Sequence, residues 1–258
     1  MIMKGISAEL EERLIPPETI LLGYRGSIAH GTYTKDYGPN AHDDKDLLGV
    51  CIGPPNSYIG LGKFEQREAM VEAKDGIVWD SVVYELRKFV RLLLGGNPNV
   101  MTLLWLPEHL YIIRDNAGKA LIEARDAFAS REVYHSYVGY AKGQLHRMTH
   151  PDGTRIGEQR RALIEKFGYD TKNAGHLIRL LRMGIEFLAT GELKVLREDA
   201  SELIEIKKGE KSLAWVEAES NRLFALAQEA FVHSPLPPKP DALRAETLVM
   251  EILRERLR

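Results

Sequence analysis

Asp44-Lys45-Asp46-Leu47-Leu48-Gly49-Val50-Cys51-Ile52 sets two acids, two residues apart, at the mouth of an apolar run. The stretch from Asp46 to Ile52, closed by Gly53-Pro54-Pro55, reads as a buried strand. Strand side chains alternate between faces, so Asp44 and Asp46 point the same way. Upstream, Thr19 to Tyr24 reads as an earlier strand, followed at once by Gly26-Ser27. Downstream, Gly76 to Tyr84 carries Ile77, Val78, Trp79, Val82 and Val83, a β-branched and aromatic set that predicts a third strand containing Asp80. Residues 32–46 are polar and turn-rich around Gly38-Pro39-Asn40.

Past Tyr84 the apolar period changes. Leu86, Phe89, Val90, Leu93 and Leu94 fall on helical spacing, ended by Gly95-Gly96-Asn97-Pro98. A short helix is expected from Asn99 to Trp105, then helices near 115–129, 131–148, 156–167, 172–190, 199–207 and 212–232. Ser234-Pro235-Leu236-Pro237-Pro238-Lys239-Pro240 cannot continue a helix and predicts an extended linker. A tail helix follows from Asp241 to Leu257, with Asp241 as N-cap.

Composition narrows the function classes. Lys and Arg total 35 against 37 Asp and Glu, so the chain lacks the basic footprint of a non-specific nucleic-acid binder. Residues 131–197 nevertheless hold 12 Lys and Arg against 7 Asp and Glu, a local excess suited to a polyanion or simply to solvated helices. The one cysteine, Cys51, excludes an internal disulfide and a Cys-based zinc site, and its apolar neighbours predict a core side chain. No apolar segment approaches the roughly 18–20 residues of a membrane span, and Met1-Ile2-Met3-Lys4-Gly5 opens no signal-like region. A soluble cytoplasmic protein is expected.

Gly26-Ser27, Asp44/Asp46 and Asp80 each have a physical use. Mg²⁺ takes oxygen ligands and is commonly held by one or two carboxylates plus substrate phosphates. A third carboxylate on a neighbouring strand allows two metals side by side. Glycine lets the backbone approach a phosphate, and a serine hydroxyl adds a hydrogen bond.

Gly26-Ser27-Ile28-Ala29-His30-Gly31-Thr32 together with Asp44-Lys45-Asp46-Leu47-Leu48-Gly49-Val50 resembles the signatures of the polymerase-β nucleotidyltransferase superfamily. The chain is most similar there to the RNA-repair-pathway polymerase-β family. Pro54-Pro55-Asn56-Ser57-Tyr58-Ile59-Gly60-Leu61, Tyr84-Glu85-Leu86-Arg87-Lys88-Phe89, Gly96-Asn97-Pro98-Asn99 and Lys172-Asn173-Ala174-Gly175-His176-Leu177-Ile178-Arg179-Leu180-Leu181 extend the match over roughly residues 20–210.

The resemblance implies an α+β fold, a polymerase-β-type mixed sheet with helices followed by an all-helical domain, with residues 1–112 catalytic and 113–258 helical. It implies transfer of an NMP from an NTP, ATP among them, to a hydroxyl acceptor with release of pyrophosphate. Asp44, Asp46 and Asp80 match the catalytic metal ligands for Mg²⁺ or Mn²⁺, and Gly26 and Ser27 match the triphosphate-binding pair. An RNA or tRNA end is the acceptor the family name favours. The gap from Ser27 to Asp44 is longer than the family's, through an insertion around Lys35 to His42. Asp43 replaces the usual serine and competes as a ligand, and Thr102 stands where an acid is expected.

Lys172, His176 and Arg179 are three to four residues apart, so one helix face presents all three to a polyphosphate, with Arg182 continuing it. Lys142, Gln144, Arg147, Arg25 and His30 are weaker phosphate candidates, and His42 reads as a loop residue. The competing reading is an idle nucleotide-binding regulatory or antitoxin-like protein. A broken carboxylate set would mark it, and here all three acids are present.

Overall fold

The computed structural model describes residues 7–33, 44–149 and 158–257, apart from the side chains of 149 and 158–160. In chain order the elements are α1 (Ala8–Leu14), β1 (Thr19–Tyr24), α2 (Gly26–Ala29), β2 (Lys45–Cys51), α3 (Asn56–Ile59), β3 (Gln66–Glu72), β4 (Val78–Glu85), α4 (Leu86–Leu94) and α5 (Pro98–Met101). Then come β5 (Tyr111–Arg114), α6 (Asn116–Glu123), α7 (Val133–Thr149), α8 (Glu158–Phe167), α9 (Thr171–Thr190), α10 (Ala200–Lys207), α11 (Leu213–His233) and α12 (Ala242–Arg256). This is the α+β arrangement expected: a mixed sheet with helices, then a helical half.

The sheet order is β3-β4-β2-β1-β5. Only the central pair, β2 with β4, runs parallel; the other pairs are antiparallel. The parallel register sets Asp46 opposite Asp80, Leu48 opposite Val82 and Val50 opposite Tyr84. One face of the sheet buries Leu48 and Val50 together with Ile20, Leu21, Phe89 and the helices beyond, while the other buries Leu47, Cys51, Trp79 and Val83 under α1. Cys51 is wholly buried, and burial pushes its thiol up to about 12, which keeps it an inert core group.

The strands β3 and β5 and the helices α1 and α3 go beyond the sequence expectations. β3 is an edge strand whose alternate residues face solvent, with Met70 exposed, so its polar composition hides its pairing. β5 is four residues long, and α1 is capped by the Ser7 hydroxyl, which accepts from the Leu10 N–H. The helix expected over 115–129 divides into α6 and a 3-10 turn at Arg125–Phe128.

In the helical half, α9 is central and packs on α7, α10 and α11. Asp170 caps it by accepting from the Asn173 N–H, and Gly191, in the left-handed region at φ 76°, ends it. Leu177, Ile178, Leu180, Leu181 and Phe187 bury one side of it. The proline linker continues no helix and bends at Leu236, Pro238 and Lys239, its Pro237 carbonyl accepting from the Arg131 N–H. It delivers α12, capped by Asp241, onto α4 and α6. Arg244 pairs with Asp126 and Arg256 with Asp115.

Candidate functional site

The strand register decides where the acids meet. Asp46 and Asp80 are direct neighbours across the parallel β2–β4 pair. Lys45 takes the opposite face, its ammonium 4.7 Å from the Trp79 ring, so Asp46 is turned away from that core. Asp44 stands just ahead of β2, exposed and two residues from Asp46.

Arg25 reaches both acids from the end of β1. Its Nη2 lies 2.7 Å from Asp80 Oδ2 and 4.0 Å from Asp46 Oδ1. Burial raises the Asp46 carboxyl above its ordinary range; Arg25 and Lys172 pull it down, and Asp80 and Asp44 push it up. Gly26 follows Arg25 at φ 63°, where a β-carbon would collide with Asp46 Oδ2. Only glycine brings the Gly26-Ser27 turn this close to Asp46. The Arg25 N–H also donates to the Asp46 carbonyl at 2.9 Å, and the Thr32 N–H to the Ser27 carbonyl at 2.9 Å.

The α9 residues arrive from the helical half. Lys172 is exposed and near enough to stabilise the Asp46 carboxylate, while His176 and Arg179 are partly covered. Burial pulls Arg179 down to about 10, and among the described residues no carboxylate pairs with it; its Nη1 contacts Met183 Sδ at 3.3 Å. His30 is buried, its Nδ1 donating to the Val195 carbonyl at 2.9 Å. Burial, and then Arg179, hold its pKa well below 6.5, so the ring is neutral at pH 7. Lys207, at the end of α10, donates to the Thr32 hydroxyl at 2.7 Å.

The sequence-predicted set is therefore brought together in part by direct contacts and in part by charge. Asp46, Asp80, Gly26 and Arg25 share direct geometry, Lys172 acts on Asp46, and Arg179 and His176 act on His30. Arg182 does not continue that cationic face toward a ligand. It is consumed by Asp199, Glu202 and Glu219. His42, Asp43 and the insertion lie outside the described residues. Lys207 escaped the sequence reading, because it sits past the Lys172–Leu181 run in a charged segment; the small Gly175 within apolar α9 was its available signal.

Among the described residues, no three His, Cys, Asp or Glu side chains are already gathered as a metal cage. Two carboxylates are, and they suit a hard cation. Asp46 and Asp80 stand side by side, each about one-third exposed (31% and 32%), and repel each other across the sheet. A single guanidinium answers them both. That donor set, oxygen-only and reachable, fits Mg²⁺ or Mn²⁺.

The chain belongs to the RNA repair pathway DNA polymerase beta family, whose model matches residues 8–251. It is by that membership a polymerase-β-like nucleotidyltransferase. A nucleotidyltransferase-like protein from Exiguobacterium sibiricum is similar in structure at 14% identity, covering 96% of this chain and 78% of that one, with a TM-score of 0.33. The CD-NTase CdnG of Bradyrhizobium diazoefficiens, solved with GTP, is similar at 11% identity over 94% and 90% of the two chains, with a TM-score of 0.23. At such scores neither alignment bears on function. No curated protein matches the chain. Among the described residues no helix is long and apolar enough to cross a membrane.

Proposed function

We propose that this chain is a divalent-cation-dependent nucleotidyltransferase that moves an NMP from an NTP to a hydroxyl acceptor, an RNA or tRNA end, releasing pyrophosphate. The observation that carries the reading is the register of Asp46 opposite Asp80, beside Gly26 and with Lys172 of α9 acting on the Asp46 carboxyl. Residues 1–112 would supply the carboxylates and residues 113–258 the cationic helices.

Asp44, Asp46 and Asp80 would hold Mg²⁺ or Mn²⁺, which supplies positive charge for the donor phosphates. In the transfer, the acceptor oxygen bonds to the α-phosphorus while the bond to the bridging oxygen breaks. The electron pair of that bond leaves with pyrophosphate. Asp80 takes the acceptor's proton, and Arg25 holds Asp80 in place through its 2.7 Å contact. Gly26 permits the close approach of phosphate, Ser27 donates to it, and Lys172, His176 and Arg179 offset its charge. Such positioning and charge stabilisation are the main source of rate in phosphoryl and nucleotidyl transfer.

The test is incubation of the full chain with total RNA, Mg²⁺ and each α-labelled NTP. Label should enter RNA, and Asp46→Asn or Asp80→Asn should lower the rate by roughly 10²–10³-fold or more. Undiminished labelling by Asp46→Asn would overturn the assignment. Nucleotide binding without pyrophosphate release over a broad acceptor panel would instead favour the idle regulatory reading.

A further inference from the structure

Lys207 closes α10, and its stem crosses α9 at Gly175. A β-carbon there would stand 3.0 Å from Lys207 Cγ and 3.5 Å from Cε, so the glycine forms a notch through which the side chain passes. Beyond the notch the ammonium reaches the Thr32 hydroxyl at 2.7 Å, at the end of the turn that Gly26-Ser27 begins. The Lys207 carbonyl accepts from the Thr171 hydroxyl at 2.9 Å, which pins the end of α10 to the start of α9.

The surroundings of this ammonium are cationic or neutral. Arg179 and Lys172 act on it from α9, and it acts in turn on His30 after α2, where His176 also acts. The nearby acids are committed elsewhere. Glu202 and Asp199 bind Arg182, Asp199 also binds Arg197, and Glu205 binds Lys211. Among the described residues no carboxylate pairs with Lys207 or Arg179. Gathered, half-desolvated cations without acids are unfavourable in the empty protein and become favourable when an anion enters among them.

We propose that Lys207, delivered through the Gly175 notch, is a ligand of the donor nucleotide's polyphosphate, and that polyphosphate binding draws a proton onto it. The proposal rests on the nucleotide-transfer reading above and names a residue that reading did not contain. Burial, then Arg179 and Lys172, pull the Lys207 amine down to about 8. Above that pH the empty protein holds it neutral, and a neighbouring phosphate favours the charged form. Arg179, at about 10, stays charged between pH 7 and 9, and His30 stays neutral. Of these three, Lys207 is the group that changes state in the window.

The experiment is titration calorimetry of the full chain with MgATP, MgGTP, MgCTP and MgUTP at pH 7 and pH 9, in buffers of different ionisation enthalpy. Linkage to an amine at about 8 gives roughly tenfold weaker binding at pH 9 and uptake of about 0.9 proton there, against about 0.1 at pH 7. Lys207→Met should weaken binding at pH 7 and abolish the uptake. Lys207→Arg, charged at both values, should keep its affinity at pH 9 without uptake. Tight wild-type binding with no proton uptake at pH 9, or unchanged uptake in Lys207→Arg, would overturn the Lys207 assignment and leave the transferase reading standing. Failure of all four nucleotides to bind would overturn both. If Lys207→Met does not fold, the wild-type uptake and the arginine variant decide the matter.

Discussion

Arg179 and Arg182 are three residues apart on α9 and live in opposite electrostatic worlds. Arg182 has three carboxylates, at 2.7, 2.6 and 3.0 Å, from α10, its cap and α11. Those partners hold its pKa above the usual arginine value despite burial. Arg179 has a thioether, and burial pulls it down to about 10. Arg197, beside them, follows Arg182, bound by Glu186 and Asp199. One helix thus carries a cation that fastens helices together and another left open on the side of His30 and Lys207. Charge count along the sequence treats them alike; only the partners tell a structural arginine from one available to a ligand.

The sharpest way to break that comparison is to remove each arginine in turn. Arg182→Ala leaves Asp199, Glu202 and Glu219 facing one another and should lower stability by about 2–4 kcal/mol in urea unfolding. Arg179→Met removes a charge that no carboxylate pairs with among the described residues and should melt no lower than wild type, while weakening NTP binding. If both variants lose equal stability, the distinction between the two arginines is wrong.

A smaller effect is expected at the turn that meets the acids. Gly26→Ala places a β-carbon against Asp46 Oδ2 at a positive φ, and should cost about 1–2 kcal/mol of stability. Nucleotide transfer should fall more than stability does, because Asp46 must move. A variant with wild-type melting and wild-type transfer would show that the turn yields without disturbing the carboxylate.

A comparable effect should be one of pH on the ligand-free protein. The folded Lys207 amine is at about 8 against the ordinary lysine value of 10.5, so the unfolded chain binds more protons between those values. Stability from this group is therefore lowest below pH 8 and is regained as pH rises toward 10.5, by about 1–3 kcal/mol. Comparing urea midpoints of wild type and Lys207→Met at pH 7 and pH 9.5 isolates it. The variant should be the more stable at pH 7, and the gap should narrow at pH 9.5.

The acids were legible because strand alternation is a strong rule. Asp46 opens an apolar strand and Asp80 lies within one, and a parallel pairing then sets them opposite. The α9 face was legible for a similar reason, since Lys172, His176 and Arg179 keep helical spacing. Lys207 was not, because its role depends on the crossing of α10 over Gly175, a tertiary contact no local pattern encodes. The fate of Arg182 was equally hidden, as its three partners lie 17 to 37 residues away in sequence. β3 was unread because Gln66-Arg67-Glu68-Ala69-Met70-Val71-Glu72 buries one residue in its seven, as an edge strand can.

The proline strap before α12 has a consequence for how firmly that helix is seated. Pro235, Pro237, Pro238 and Pro240 leave the strap few conformations to lose, and backbone hydrogen bonds from Arg131 to Pro237 and from Asp241 to Ala127 fix its path. The helix behaves as a tethered ligand with a high effective concentration over α4 and α6. A single cut in the strap would turn that docking into an ordinary encounter between two molecules, governed by how dilute they are.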